Sequence, residues 1–117
     1  MSSIQRFNVE KRLSDMAIYN GVAYLAGQIP ETPSKDIVGQ TSEVLATIDR
    51  LLAEAGTDKR RILMAQIFIA DRKDVAGMNQ AWDECVAQGD APPRATVEAR
   101  LVNPDWKVEI VVTAALA

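Results

Sequence analysis

The sequence predicts an α+β domain, a mixed sheet of about six strands with two helices on one face. Three observations carry that expectation. Asn20-Gly21 stands between two apolar-rich runs, the strongest short-range signal for a β-hairpin. Two segments carry apolar residues at helical spacing, with a nearly continuous apolar run of strand length between them. Two further strand-like runs close the chain, so the order reads β-β-β-α-β-α-β-β.

In chain order, residues 4–9 form a short first strand. Residues 15–20 and 22–29 are the arms of the hairpin, and Gly27-Gln28-Ile29-Pro30 ends the second arm. Pro30 and Pro33 mark a loop. Ile37, Val44, Leu45, Ile48, Leu51, Leu52 and Ala55 recur at helical spacing, and Gly56 fits the C-terminal cap. Residues 62–70 (Ile-Leu-Met-Ala-Gln-Ile-Phe-Ile-Ala) read as a strand buried on both faces. A second helix covers roughly 74–88, with Val75, Met78, Trp82, Cys85 and Val86 on one stripe, Asp74 as N-cap and Gly89 at the stop. Pro92-Pro93 break the chain, and strands follow near 94–102 and 107–116.

Strand-helix-strand crossovers favour parallel pairing and put both helices on the same side of the sheet. The other side is then left uncovered. Yet in 107–116 Val108, Ile110 and Val112 alternate with Val111, Thr113 and Ala115, so both faces are largely apolar. Soluble monomers rarely expose a large apolar patch. A second copy of the chain is the simplest cover, which predicts a homo-oligomer.

What the chain lacks narrows the chemistry. It has no histidine, which removes Ser-His-Asp and Cys-His nucleophile systems and the HExxH zinc helix. Its one cysteine, Cys85, cannot form an internal disulfide, and without histidine a zinc site is not expected. Neither a GxGxxG fingerprint nor a P-loop is present, so neither a cofactor nor a metal is expected. The net charge of -3 argues against broad nucleic-acid binding. No apolar run is long enough to span a bilayer and no secretion signal is read, so a cytoplasmic location is the default. One domain over residues 1–117 is expected. Carboxylates, Arg, Lys, hydroxyls and backbone amides must do any chemistry.

Five segments in order resemble the Rid family, also called the YjgF family, of small reactive-intermediate deaminases. They are Gly27-Gln28-Ile29-Pro30, Ile67-Phe68-Ile69-Ala70-Asp71, Met78-Asn79-Gln80-Ala81-Trp82, Pro92-Pro93-Arg94-Ala95-Thr96-Val97 and Lys107-Val108-Glu109-Ile110. Arg12-Leu13-Ser14-Asp15 and Gly89-Asp90-Ala91-Pro92 look closest to the YoaB-like branch. The resemblance implies a chorismate-mutase-like fold whose four core strands lie in the order 1-4-2-3, the last of them central and antiparallel. It overrules the simpler reading of 94–102 and 107–116 as a hairpin. It also implies a homotrimer with three ligand sites in the clefts between subunits.

The resemblance assigns roles to particular residues. It implies that Arg94 pairs with the substrate carboxylate, for which a planar guanidinium offers two charge-assisted hydrogen bonds. The plainer reading makes Arg94 the start of an exposed strand. It implies that Glu109 positions or activates the attacking water. A carboxylate in so apolar a run is costly unless paired, and the alternative is a structural ion pair to Lys107 or Arg100. The backbone N–H of Thr96 and a close backbone approach at Gly27 complete the binding set with Leu13, which stands where catalytic relatives commonly have a tyrosine. Gly27 reads equally as a bulge or strand end, and the Thr96 side chain equally as that of an ordinary strand threonine. Thr96 replaces a common cysteine and Ala26 a common serine. Cys85, Met78 and Trp82 read as core, and Trp106, in a turn, is a surface or interface anchor.

Arg94 and Glu109 each begin a strand, and those strands should run antiparallel. A six-residue rise would put them on the order of 20 Å apart, too far to share a small site within one chain. The implied activity is hydrolysis of 2-imino or enamine acids to 2-oxo acids and ammonia. A non-catalytic module for small carboxylates is the alternative, and endoribonuclease activity ranks last.

Overall fold

Asn20 (φ 51°) and Gly21 (φ 78°) both adopt left-handed backbone, as a two-residue type I′ turn requires. They are the predicted hairpin tip in the computed structural model, which describes residues 3–117. A short β1 (Gln5–Phe7) pairs antiparallel with β2 (Met16–Tyr19), and β2 pairs with β3 (Val22–Leu25) across the turn. The long helix α1 (Ile37–Glu54) begins where the Asp36 carboxylate accepts a 2.8 Å hydrogen bond from the Gly39 N–H. It ends just before Gly56, whose φ of 81° supplies the reversal expected there. Strand β4 (Ile62–Ile69), helix α2 (Val75–Cys85), strand β5 (Arg94–Glu98) and strand β6 (Val108–Ala115) follow.

All six strands join one sheet in the order β1-β2-β3-β6-β4-β5. The last strand inserts between β3 and β4, antiparallel to both, while β4 and β5 run parallel. The final two strands therefore never pair. The four core strands have the 1-4-2-3 order that the resemblance implies. A two-residue period sorts their side chains. Val108, Ile110 and Val112 of β6 and Ala65, Ile67 and Ile69 of β4 are buried against the helices. The opposite face holds Tyr24, Met64 and Val97, which are 51%, 42% and 47% exposed, with the part-buried Phe68 and Val111 among them. The largely apolar open face inferred from the sequence is present, and nothing among the described residues covers it.

Four boundaries differ from expectation. The second hairpin arm leaves regular pairing at Leu25 rather than at residue 29, and only Gln28 returns to bridge Ile110. The strand beginning at Arg94 stops at Glu98 rather than near residue 102. The Asp74 side chain does not cap α2. Instead Asp71 accepts from the Lys73 N–H at 2.9 Å and starts a single 3₁₀ turn, Arg72–Asp74, that runs into the helix. The helix ends at Cys85, and Gly89 (φ 83°) shapes the loop beyond it.

One buried polar side chain ties the loops to this frame. Gln40, 0% exposed on α1, donates through Nε2 to the Pro33, Lys35 and Asp105 carbonyls at 2.9, 3.1 and 3.2 Å. Its Oε1 accepts from the Lys107 N–H at 2.7 Å. A buried amide earns its place only when so satisfied. Glu43, on the same helix, accepts from the Thr32 hydroxyl and amide at 2.8 and 2.9 Å. Those hydrogen bonds, with Lys35 3.1 Å away, hold the Glu43 carboxyl below the ordinary glutamate range.

Candidate functional site

Glu109 is the second residue of the central strand. Its neighbours Val108 and Ile110 turn toward the helices, so the pleat sends Glu109 to the open face. There its carboxylate lies over the Cα of Gly27. A Cβ built at residue 27 would collide with Oε2 of Glu109. The close backbone approach expected at Gly27 is thus made to Glu109. Neither the Lys107 nor the Arg100 ion pair forms, and among the described residues no hydrogen bond or ion pair engages the Glu109 carboxylate.

Gly27 comes close because the chain bulges before it. Tyr24 pairs with Thr113, and Gln28 with Ile110. That is four steps along one strand against three along the other, one extra residue around Ala26-Gly27. Such a bulge bends a strand and re-aims its neighbours. The Ala26 N–H also donates to the Asp15 carbonyl at 2.9 Å, anchoring the loop that carries Leu13. In that loop Asn8 takes φ 55° and donates from its side chain to Asp15 at 2.9 Å, while the Glu10 N–H donates to the Leu13 carbonyl at 2.8 Å. Leu13, Ala26, Tyr24 and Arg6 line one shallow concavity. Leu13 is 54% exposed there, an apolar side chain with no hydroxyl to offer.

Arg94 sits elsewhere. It opens the edge strand β5, fixed by a 3.0 Å hydrogen bond from the Ala65 N–H to the Pro93 carbonyl. Arg94 is opposite Ala65 and Thr96 opposite Ile67, so both share the helix side of the sheet. The Arg94 side chain reaches α2, with Cζ 5.2 Å from the centroid of the Trp82 ring. The Thr96 hydroxyl is buried without a hydrogen-bond partner. No acid pairs with Arg94 among the described residues.

The distance expected between Arg94 and Glu109 needs correction. Arg94 pairs with Ala65, Ala65 with Val112, and Glu109 with Phe68, so the offset along the sheet is three residues rather than six. With two inter-strand spacings the backbone separation is about 14 Å rather than about 20 Å. What divides the residues is also their facing. Arg94 and Thr96 lie on the helix side at the sheet edge, and Glu109 and Gly27 on the open side at its centre. One copy of the chain thus presents, among the described residues, an unpaired guanidinium and an unpaired carboxylate on opposite faces of one sheet.

Other candidates settle in place. Met78 and Trp82 are buried, as expected. Cys85 is half-buried beside them, and burial pushes its thiol above the ordinary cysteine range. Trp106 is half-buried in its turn, where its N–H donates to the Asn103 carbonyl at 3.1 Å. Among the described residues no three of His, Cys, Asp and Glu converge as a metal site, and no helix is long and apolar enough to cross a membrane. Sequence reasoning left a bulge at Gly27 as one of two open readings and missed the Arg94–Trp82 stack. It placed Trp82 on a helical stripe, and nothing in that period says that the indole face meets another strand.

Replacing Gly27 with alanine tests the seat of Glu109. The clash falls on the far end of a flexible side chain, so we expect stability to change by less than about 1 kcal/mol. The carboxylate, however, must move by about an ångström, and displacement on that scale can cost catalysis on the order of 100-fold. Urea denaturation and turnover measured on one preparation separate the two effects.

Comparison with known proteins places this geometry. Residues 3–116 match the family described as endoribonuclease L-PSP. A RutC family protein of Haemophilus ducreyi is 58% identical over 113 residues, covering 97% of each chain. The RutC family protein YoaB of Escherichia coli is 46% identical over 114 residues, covering 97% of this chain and 99% of that one. The crystal structure of a YjgF family member from Neisseria meningitidis superposes with a TM-score of 0.96 at 45% identity, covering 98% of this chain and 96% of the other.

Proposed function

The chain belongs to the endoribonuclease L-PSP family, the family of the Rid, YjgF and RutC proteins, and from that premise we propose that it hydrolyses reactive 2-imino acids and their enamine tautomers to 2-oxo acids and ammonia. One observation carries the reading: Glu109, a carboxylate without a partner among the described residues, is seated on a bare Cα in a largely apolar sheet face. Once another copy covers that face, an unpaired carboxylate there is costly unless a ligand or water meets it.

The chemistry is simple. Arg94 takes the substrate carboxylate through two N–H donors. Glu109 accepts a proton from water as its oxygen adds to the C=N carbon. Glu109 passes that proton to the nitrogen, giving a carbinolamine. As its C–N bond breaks, the hydroxyl O–H electrons form the C=O, the hydroxyl proton passes through Glu109 to the departing nitrogen, and ammonia leaves a 2-oxo acid. The iminium carbon is already electrophilic, so the step needs only orientation and proton transfer. Because the two half-sites face apart in one copy, the working cleft in this reading lies between copies. Arg94 and Thr96 of one subunit then meet Glu109, Gly27 and Leu13 of its neighbour. A homotrimer closed over the open apolar faces supplies three such clefts.

Leu13 keeps a second reading in view, a module that binds small carboxylates without turning them over, because residue 13 itself brings no hydroxyl to the concavity it shares with Ser14 and Tyr24. The net charge of -3 gives no support to a ribonuclease. Freshly generated 2-imino acids, assayed for ammonia with and without the protein, decide between the first two. We expect accelerated release. Binding of 2-oxo acids with no acceleration on any imine in the panel would transfer the assignment to the binding module.

A further inference from the structure

We infer that Trp82 is a positioning residue, one that holds the Arg94 guanidinium flat at the sheet edge and leaves its N–H donors free for an incoming carboxylate. The inference rests on the carboxylate-clamp reading of Arg94 and adds what makes the clamp ready. Arginine is long and flexible, and at an exposed strand edge it samples many rotamers. Proteins commonly fix such a side chain with an acid, but an acid occupies the donors and cancels the charge that a substrate needs. Here the described residues provide no acid at Arg94, and the partner is an aromatic face.

The geometry suits that task. Trp82 is only 8% exposed and belongs to the core, so its ring is held by the packing of α2 against the sheet. The Arg94 Cζ stands 5.2 Å from the ring centroid, within the roughly 6 Å reach of a cation–π contact. Such a contact orients the guanidinium plane through the π-cloud and uses none of its hydrogen-bond donors. On the same side of β5, two residues along, the Thr96 hydroxyl is buried with no partner. A prealigned fork whose donors are free can meet one end of a planar anion, and the indole beneath it reports on occupancy.

The test uses a Trp106→Phe background, in which Trp82 is the single tryptophan, with 2-oxobutyrate as the probe. Without ligand, Arg94→Ala should change the Trp82 emission, and 2-oxobutyrate should change it only when Arg94 is present. Trp82→Met should raise the Kd for 2-oxobutyrate and the KM for 2-imino acids about three- to tenfold with kcat within about twofold, and Trp82→Phe should restore most of the loss. Unchanged ligand-free emission in Arg94→Ala would overturn the stack without requiring any Trp82 variant to fold. Unchanged Kd and KM in a folded Trp82→Met chain, with binding lost in Arg94→Ala, would remove the positioning role and leave the clamp standing. If wild type fails to bind 2-oxobutyrate, or Arg94→Ala binds it as well as wild type, the clamp itself falls and the inference with it.

Discussion

Replacing Arg94 with alanine is expected to cut turnover of 2-imino acids by well over tenfold while leaving the fold in place. The effect is large because the substrate carboxylate then enters the cleft without its counter-charge. Leaving one member of a buried, hydrogen-bonded charge pair alone typically costs about 2 to 5 kcal/mol, or roughly 30- to several-thousand-fold. The cost to stability is small by comparison. Arg94 is exposed on an edge strand and makes no ion pair among the described residues, and the fold loses only one contact with the face of Trp82. Initial rates of ammonia release and a urea titration on the same sample measure both quantities. Unchanged turnover would strip Arg94 of its role.

Gln40→Leu is expected to have the largest effect on stability, about 3 to 5 kcal/mol. Leucine fits the helix and roughly the volume, but it offers nothing to the carbonyls of Pro33, Lys35 and Asp105 or to the Lys107 N–H. Each buried backbone group left without a partner costs about 1 to 3 kcal/mol, and water can reach only some of them. The damage should spread toward the site, because Lys107 lies two residues before Glu109 on the way into β6. A fall in urea midpoint corresponding to less than about 1 kcal/mol would show that solvent takes over the lost hydrogen bonds.

The parts of the fold legible in the sequence are those written in local pattern. Asn20-Gly21 specified its turn, because few other pairs tolerate two successive left-handed residues. The apolar alternation of Val108 through Ala115 marked a strand buried on one side and awaiting cover on the other. Local pattern does not say which strands pair. Read alone, 94–102 and 107–116 look like a hairpin, and only the family resemblance put the last strand between β3 and β4. The register followed from that pairing, which is why the Arg94–Glu109 offset came out as three residues instead of six. The bulge at Ala26-Gly27 stood only as one of two readings of Gly27, because a bulge is a mismatch between two strands and one strand alone does not decide it. Gln40 escaped because a lone glutamine in a helical stripe reads as the edge of the apolar face. Its partners lie up to 67 residues away. The site residues themselves were named from motif rather than physics. The geometry adds what the motif could not: Glu109 seated on Gly27, Arg94 stacked on Trp82, and the two turned to opposite sides of one sheet.

That division into half-sites is the centre of the account, and mixed oligomers test it most directly. Arg94→Ala and Glu109→Gln chains, each nearly inactive alone, are unfolded together and refolded, and ammonia release is measured on assemblies shown to contain both chains. A cleft formed between an Arg94→Ala copy and a Glu109→Gln copy in the right order holds one intact Arg94 and one intact Glu109. The account predicts recovery of a fraction of the wild-type rate set by the statistics of assembly. Verified mixed oligomers that stay as inactive as the two parents would contradict it.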